Sequence, residues 1–162
     1  MMLKGTMQFR SITQVPMIWS DPSDRSERQV DGLAQTHDIG ATILERARLA
    51  PYHGFQGESF LDAVYGGDTV KDEILIEFND GAAKFGFPTP ARVRTLRTKK
   101  WRFTVYAGQD WGELYDIEAD PNETRNLWDS ADHLGIRGDM ALRLAHQMAR
   151  HEEESPKPTQ MA

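Results

Sequence analysis

Residues 91–127, which read ARVRTLRTKKWRFTVYAGQDWGELYDIEADPNETRNL, decide the fold of this chain. Segments 92–97 and 101–106 are rich in β-branched and aromatic side chains, which favour strands. Side chains in a strand point alternately to two faces, so the second strand has one apolar face and one polar face. The apolar face consists of Trp101, Phe103 and Val105, and the opposite face consists of Arg102, Thr104 and Tyr106.

Short polar breaks divide this stretch into three strands. Residues 98–100 link the first strand to the second, and residues 108–110 precede a shorter third strand over 111–116. Residues 120–123 then form a turn, because proline fixes φ and the Asp and Asn side chains bond to nearby backbone. The stretch therefore predicts an antiparallel meander.

Two further elements complete this half of the chain. The run EILIEF at 73–78 predicts a strand that ends at Asn79-Asp80-Gly81. A helix is predicted from about 136 to 150, because apolar residues recur there every four positions. Its apolar residues are Ile136, Met140, Leu144 and Met148. We expect a mixed α/β chain in which a small antiparallel sheet is packed by the C-terminal helix.

The front of the chain is less complete. Residues 15–19, VPMIW, predict a short buried strand. Asp38 is a plausible N-cap for a helix that ends near Ala47, and the apolar face of that helix would be Ile39, Ile43, Leu44 and Ala47. One strand and one helix do not make a domain, so we expect them to join a sheet that this sequence does not supply.

Composition narrows the possible functions. The chain has 162 residues and a net charge of 19 − 25 = −6, which argues against a nucleic-acid partner. The basic run at 92–102 is therefore expected to be a solvated strand face. The chain has no cysteine, so disulfides and thiolate chemistry are excluded. With no visible signal peptide and no apolar run of ~20 residues, we expect no membrane partner and, by default, a cytoplasmic location.

The order of motifs resembles a known family. The succession RTLRT, a Trp-led strand, GELYDIEADPNE and then Asn126-Leu127 is similar to the C-terminal subdomain of bacterial formylglycine-dependent sulfatases, which belong to the alkaline-phosphatase superfamily. Residues 3–5, 15–19 and 56–60 resemble segments that precede this subdomain in the family. The resemblance implies that residues 1–67 are the partial end of the catalytic α/β domain. Residues 68–152 would be the C-terminal subdomain, and 153–162 a flexible tail.

The resemblance also implies an activity and its missing parts. Family members hydrolyse sulfuric esters with a formylglycine made in a Cys/Ser-x-Pro-x-Arg motif and a calcium ion held by carboxylates, which is covalent catalysis aided by a metal. Both lie upstream in family members. We therefore expect a C-terminal fragment that holds no cofactor, is inactive alone and acts on sulfate esters only with a separately encoded N-terminal portion. Lys4 lies where the family places a lysine that contacts the substrate sulfate, a role it would have only in a complete site.

Several residues partly match the pattern of a catalytic or metal-binding site. Residues 20–25, SDPSDR, nearly match the nucleophile motif, but Asp24 stands where the arginine belongs, so we interpret them as a loop. Asp31, His37 and Asp38 are spaced like loose metal ligands, yet Asp38 is better explained as a helix cap. The three later histidines are expected on the surface, and they are His133, His146 and His151.

Two alternatives stay open. The chain could be a fragment of a phosphonate or phosphate monoester hydrolase of the same superfamily. It could also be a non-catalytic binding module that presents Trp101, Tyr106 and Trp111, although Trp101 is in phase with Phe103 and Val105 and therefore favours a core position.

Overall fold

The computed structural model describes residues 5–68 and 71–153. In chain order the elements are α1 (Arg10–Thr13), α2 (Asp38–Arg46), α3 (Leu61–Val64), β1 (Glu73–Asn79), β2 (Arg92–Thr98), β3 (Trp101–Tyr106), β4 (Gly112–Asp116), a 3-10 turn (Ala131–His133) and α4 (Leu134–Arg150). No helix in the described ranges is both long enough and apolar enough to cross a bilayer.

The described chain forms two compact units. The sheet unit contains residues 5–17 and Glu73–Met148, and the helical unit contains residues 18–68, 71–72 and 149–153. Residues 5–17 thus group with the sheet, whereas the sequence placed them with the front of the chain, because Phe9 packs edge-on against Tyr115 of β4. The assignment of 1–67 to the end of a catalytic domain stays a prediction.

The predicted meander is confirmed. The four strands lie in the order β1-β2-β3-β4, and every neighbouring pair is antiparallel. The register places Leu96 opposite Phe103 and Phe103 opposite Leu114. Since side chains alternate along each strand, these three residues share one face of the sheet.

That face carries the main hydrophobic core, which α4 covers. Its buried members are Leu75, Leu96, Phe103, Leu114, Leu127, Met140 and Leu144, and Trp101, Val105 and Trp128 pack against them. Trp101 is thus a core residue, as its phase predicts. Only the middle of the predicted helix face is buried, since Ile136 and Met148 remain exposed. The apolar stripe of α4 extends beyond the cluster that it covers.

The opposite face of the sheet carries a smaller apolar cluster and, beside it, buried polar side chains. The expectation that the basic run at 92–102 is a solvated face is therefore wrong at its last residue. The Arg102 side chain is 1% exposed, and Thr95 and Thr104 are fully buried with their hydroxyl oxygens 2.8 Å apart. Glu113 and Glu123 compensate the buried charge, and Phe9 covers it. Paired charge is what allows an arginine to be buried here.

The helical unit departs from the sequence prediction at α2. Its buried residues are Asp38, Ala41 and Thr42, whereas Ile43 is 53% exposed, so the predicted apolar face is wrong. The Thr42 hydroxyl donates to the Asp38 carbonyl (2.8 Å) and accepts from the Phe60 amide (3.1 Å). A polar face is therefore buried because its groups are hydrogen-bonded.

The predicted strand at 15–19 is also absent from the described structure. Residues 14–20 lie outside any helix or strand, and Ile18 is 91% exposed while Val15 is 55% exposed. An extended apolar run becomes a strand only when a neighbouring strand accepts its backbone hydrogen bonds. No described strand pairs with this run.

Candidate functional site

The segment that follows Lys4 is the structural centre of the candidate site. Lys4 itself lies outside the described residues, which begin at Gly5. Thr6 and Gln8 are buried, and the Gln8 amide donates to the Thr6 carbonyl at 3.4 Å. The Phe9 ring lies 5.1 Å from the Arg102 guanidinium carbon. The contact between Phe9 and Arg102 therefore holds the segment that follows Lys4 against the sheet.

A buried ion network attaches this segment to the sheet. The Arg102 side chain donates through Nε to Glu123 Oε1, and through Nη1 to Glu113 Oε2 at 2.5 Å. The other oxygen of Glu123 accepts the Arg10 backbone N–H at 2.6 Å. One carboxylate thus bonds both to a buried arginine of β3 and to the first turn of α1, so it couples the segment to the sheet.

Aromatic rings and hydroxyls complete the surroundings of Arg102. Its guanidinium carbon lies 4.6 Å from the Tyr115 ring centroid, and Nη1 also donates to Thr104 Oγ1 at 3.0 Å. Burial alone would lower the pKa of Arg102, but Glu113 and Glu123 outweigh burial and hold the pKa above its ordinary value. The arginine therefore stays charged and serves to anchor the segment.

Sequence reasoning does not identify this network. It places Arg102 on a solvated face and singles out neither Glu113 nor Glu123 as its partner. A partial signal was present, because Arg102 shares its strand face with Thr104 and Tyr106. Glutamates in the following GELYD and DPNE runs could then supply the counter-charges. Glu123 also has a φ of 54°, which is uncommon for a non-glycine residue.

The near-match to the nucleophile motif is a structural loop. Asp21 is buried and accepts bonds from the Ser23 N–H at 2.8 Å, from Arg46 Nε at 2.5 Å and from the Tyr65 hydroxyl at 2.7 Å. The Arg46 bond, followed by that of Ser23, holds the pKa of Asp21 well below its usual range. Ser23 Oγ donates to the same carboxylate, so the hydroxyl is committed to the loop.

The loose acidic and histidine spacing at 31–38 does not gather into a metal site. Asp38 binds Lys71 Nζ at 2.7 and 2.9 Å and accepts the backbone N–H groups of Gln35 and Glu58. Asp38 is the first residue of α2, and its side chain caps no backbone N–H of that helix. The predicted capping role is therefore wrong. Across the described ranges, no three His, Cys, Asp or Glu side chains are grouped so that they could hold a metal ion.

The later histidines and aromatic residues differ in exposure. His146 is exposed, whereas His133 is half-buried. The Nδ1 atom of His133 and the Ser130 hydroxyl are hydrogen-bonded at 2.8 Å, and the His133 ring lies edge-on to the Trp101 ring. Trp111 is 44% exposed, and its ring centroid lies 4.5 Å from that of the buried Tyr106, with the two rings tilted by 37°. Of the three aromatics considered for a binding surface, only Trp111 is exposed.

Comparisons with known proteins agree on one family. The family model described as N-sulphoglucosamine sulphohydrolase, C-terminal, matches residues 4–150. Arylsulfatase K of Gallus gallus is 26% identical over 131 residues, which cover 74% of this chain and 23% of the relative. The uncharacterized sulfatase YidJ of Escherichia coli (strain K12) is 28% identical over 142 residues, which cover 85% of this chain and 26% of the relative. The chain spans about a quarter of the length of these curated relatives.

Solved structures share the fold. The phosphonate monoester hydrolase of Agrobacterium radiobacter superposes with a TM-score of 0.68 at 23% identity, covering 83% of this chain and 29% of the hydrolase. A protein solved with its substrate D-glucosamine-2-N,6-O-disulfate gives a TM-score of 0.62 at 20% identity, covering 76% and 25%. A 2-O GAG sulfatase gives 0.59 at 21% identity, covering 75% and 26%.

Proposed function

Because this chain belongs to the family of sulfatase C-terminal domains that its residues 4–150 match, we propose that it serves sulfuric-ester hydrolysis as the C-terminal subdomain of a larger active assembly. The observation that supports this proposal is coverage. The match takes in nearly the whole chain but only 23% and 26% of two sulfatase relatives. An N-terminal sulfatase portion would supply the formylglycine and the carboxylates for calcium.

Within that assembly, Lys4 contacts the sulfate of the substrate. A lysine ammonium is a compact point charge with three donors, which suits the anionic oxygens of a sulfate. The segment that follows Lys4 helps to position it. Phe9 packs on Arg102, and the Arg10 N–H donates to Glu123, which also binds Arg102. The buried network thereby limits the movement of the segment relative to the sheet, and prior positioning reduces the entropy lost on binding.

The N-terminal portion also has a surface to occupy. Val15, Met17 and Ile18 are exposed, lie outside any helix or strand and pair with no described strand. An apolar segment of this kind can add as a strand to the edge of a partner's sheet. We therefore assign the N-terminal portion, encoded in the same or a separate gene, as the partner of this segment.

A second candidate reaction is hydrolysis of phosphonate or phosphate monoesters. The observation that favours it is the superposition on the Agrobacterium radiobacter hydrolase over 83% of the chain. The Lys4 ammonium would serve a tetrahedral phosphonate oxygen as well as a sulfate oxygen. The two reactions differ in the preferred ester, so turnover of paired aryl sulfate and aryl phosphonate substrates separates them.

A region swap tests the proposal. The matched 131-residue region of arylsulfatase K is replaced by this chain, and the fusion is assayed with an aryl sulfate. We expect turnover above that of arylsulfatase K with the region deleted. Lys4→Ala should lower kcat/KM about 100-fold, as loss of one charge-stabilising donor does.

Two controls sharpen the test. Lys84→Ala removes an exposed lysine that pairs with Asp80 and should leave turnover unchanged. A folded fusion without turnover, or one in which the Lys4→Ala variant keeps full activity, would contradict the proposal.

A further inference from the structure

Two Asp-Gly pairs in this chain take no part in the proposed function. They are Asp31-Gly32 in the helical unit and Asp80-Gly81 directly after β1 in the sheet unit. An aspartate that precedes glycine can react with its own backbone, because glycine has no Cβ to shield its nitrogen and adopts many backbone conformations. The two pairs have the same sequence, so a difference in their reactivity reports on the structure that surrounds each of them.

The reaction at such a pair passes through a five-membered imide. The glycine nitrogen bonds to the side-chain carboxyl carbon of the aspartate, and the carboxyl hydroxyl takes the N–H proton and leaves as water. Solvent water then opens the ring. When it attacks the main-chain carbonyl carbon, the product is isoaspartate, in which the chain runs through the former side chain. The attack requires a protonated carboxyl, since a carboxylate has no leaving group, and a side chain that can rotate toward the nitrogen.

At Asp80 the fold opposes both requirements. The side chain is 5% exposed, and its Oδ1 accepts bonds from Lys84 Nζ at 3.1 Å and from the Ala82 N–H at 3.4 Å. Lys84 is the main cause that holds the pKa of Asp80 below its ordinary value. The backbone is fixed as well, because the Asp80 N–H donates to the Ala91 carbonyl at 2.8 Å. This carboxyl is therefore both ionised and restrained.

Asp31 is held far less. The residue is exposed, and its Oδ1 accepts a bond from the Gln29 side-chain amide at 3.3 Å. Within the described ranges, no cation forms an ion pair with this carboxylate, and no backbone carbonyl accepts the Gly32 N–H. One neutral bond at an exposed position leaves the carboxyl able to rotate, and the nitrogen that it would meet is not engaged by the backbone.

We propose that Asp31-Gly32 is a site of spontaneous covalent modification, at which Asp31 isomerises to isoaspartate, and that the Lys84 ion pair protects the matching Asp80-Gly81 pair from the same reaction. The product adds a methylene to the main chain ahead of α2 and carries a free α-carboxylate. The inference goes beyond the proposed function and needs no N-terminal portion, because every group that reacts or protects belongs to this chain.

The full chain, folded and incubated near neutral pH, provides the test. Peptide mapping with electron-transfer fragmentation distinguishes isoaspartate from aspartate and gives the rate of its formation at each pair. Each rate is divided by the rate at the same pair in guanidinium-unfolded chain, which removes the influence of the flanking residues. We expect the normalised rate at Asp31 to exceed that at Asp80 at least about threefold, a factor that an ion pair of this kind can supply.

Three variants separate the ion pair from other causes. Lys84→Met removes the ammonium but keeps a long unbranched side chain, so the normalised rate at Asp80 should rise about threefold while that at Asp31 does not change. An unchanged near-UV circular dichroism spectrum shows that the sheet unit of this variant is folded. Lys99→Met neutralises another exposed lysine, between β2 and β3, and should alter neither rate. Gly32→Ala should suppress the product at Asp31, because a Cβ then shields the nitrogen.

Three results would overturn the inference. They are equal normalised rates at the two pairs, no rise at Asp80 in the Lys84→Met variant, and no more isoaspartate at Asp31 than at aspartates that precede other residues. None of these measurements involves turnover, so they are independent of the region swap that tests the proposed function.

Discussion

Replacing Glu123 by Gln tests the buried ion network most sharply. The wild-type carboxylate accepts Arg102 Nε through one oxygen and the Arg10 N–H through the other. Glutamine has a single acceptor oxygen, so either the guanidinium or the backbone N–H must face an amide NH₂. Arg102 is 1% exposed, and of the carboxylates that contact it in the described structure only Glu113 would still carry a charge.

The expected cost follows from this geometry. Removing one partner of a buried ion pair costs about 3–5 kcal/mol, because it leaves charge uncompensated. Glutamine keeps one of the two hydrogen bonds and Glu113 remains, so we expect about 3 kcal/mol from the lower end of that range. For a chain of 162 residues this corresponds to a fall in Tm of about 6–12 °C.

Urea unfolding of the full chain measures this cost. Near-UV circular dichroism reports on the sheet unit, since Trp128 stacks on Phe103 in its core. Glu118→Gln makes the same change at an exposed position of the same unit and should alter stability by no more than about 0.5 kcal/mol. Equal stabilities of the Glu123→Gln and Glu118→Gln variants would refute the network as the anchor of residues 5–10.

Three further predictions concern packing, pH and local stability. Gly112→Ala should destabilise the protein by more than about 2 kcal/mol, because its Cβ would lie 2.4 Å from the Trp128 ring. Gly138→Ala should stabilise it by about 0.5–1 kcal/mol, because a Cβ at this position of α4 meets open space. Chemical denaturation that gives the same sign for both variants would contradict the packing described. Burial, and then Glu113, raises the pKa of Tyr106 above 10.0, so its contribution to stability is complete below that pH and is lost as pH rises above it; stability measured from pH 9 upward should therefore decline less steeply in Tyr106→Phe, and identical slopes would argue against a buried neutral phenol. Limited proteolysis should cut within residues 18–68 before it cuts the sheet unit, as sparse burial predicts, and mass spectrometry showing first cleavage in β2 or β3 would contradict this order.

The sheet was predictable because its information is local. Period-two alternation in 101–106 and polar breaks on either side set the strand bounds, and β3 begins and ends at the predicted residues. The phase of Trp101 with Phe103 also identified the core face correctly. The family resemblance, carried by the order of the GELYD and DPNE runs, is confirmed by the family match over residues 4–150.

The errors arise where a residue's environment depends on distant chain. Arg102 is buried because Phe9, Glu113 and Glu123 converge on it, and spacing along the sequence does not display that convergence. Asp38 binds Lys71, 33 residues away, so its short-range interpretation as a cap failed. The run at 15–19 has strand composition but no described neighbour, and composition alone does not make a strand.

The sequence offers one candidate site residue. Lys4 was identified by resemblance alone and lies outside the described residues, so its role stays a prediction. The near-motif at 20–25 was correctly interpreted as a loop, since Asp24 breaks its spacing.

The decisive measurement is turnover of an aryl sulfate by the purified full chain, with and without added calcium. We expect no hydrolysis above background in either condition, because the formylglycine and the calcium-binding carboxylates belong to the proposed N-terminal portion. Hydrolysis that co-purifies with the chain through repeated chromatography, and that disappears in Lys4→Ala, would contradict it.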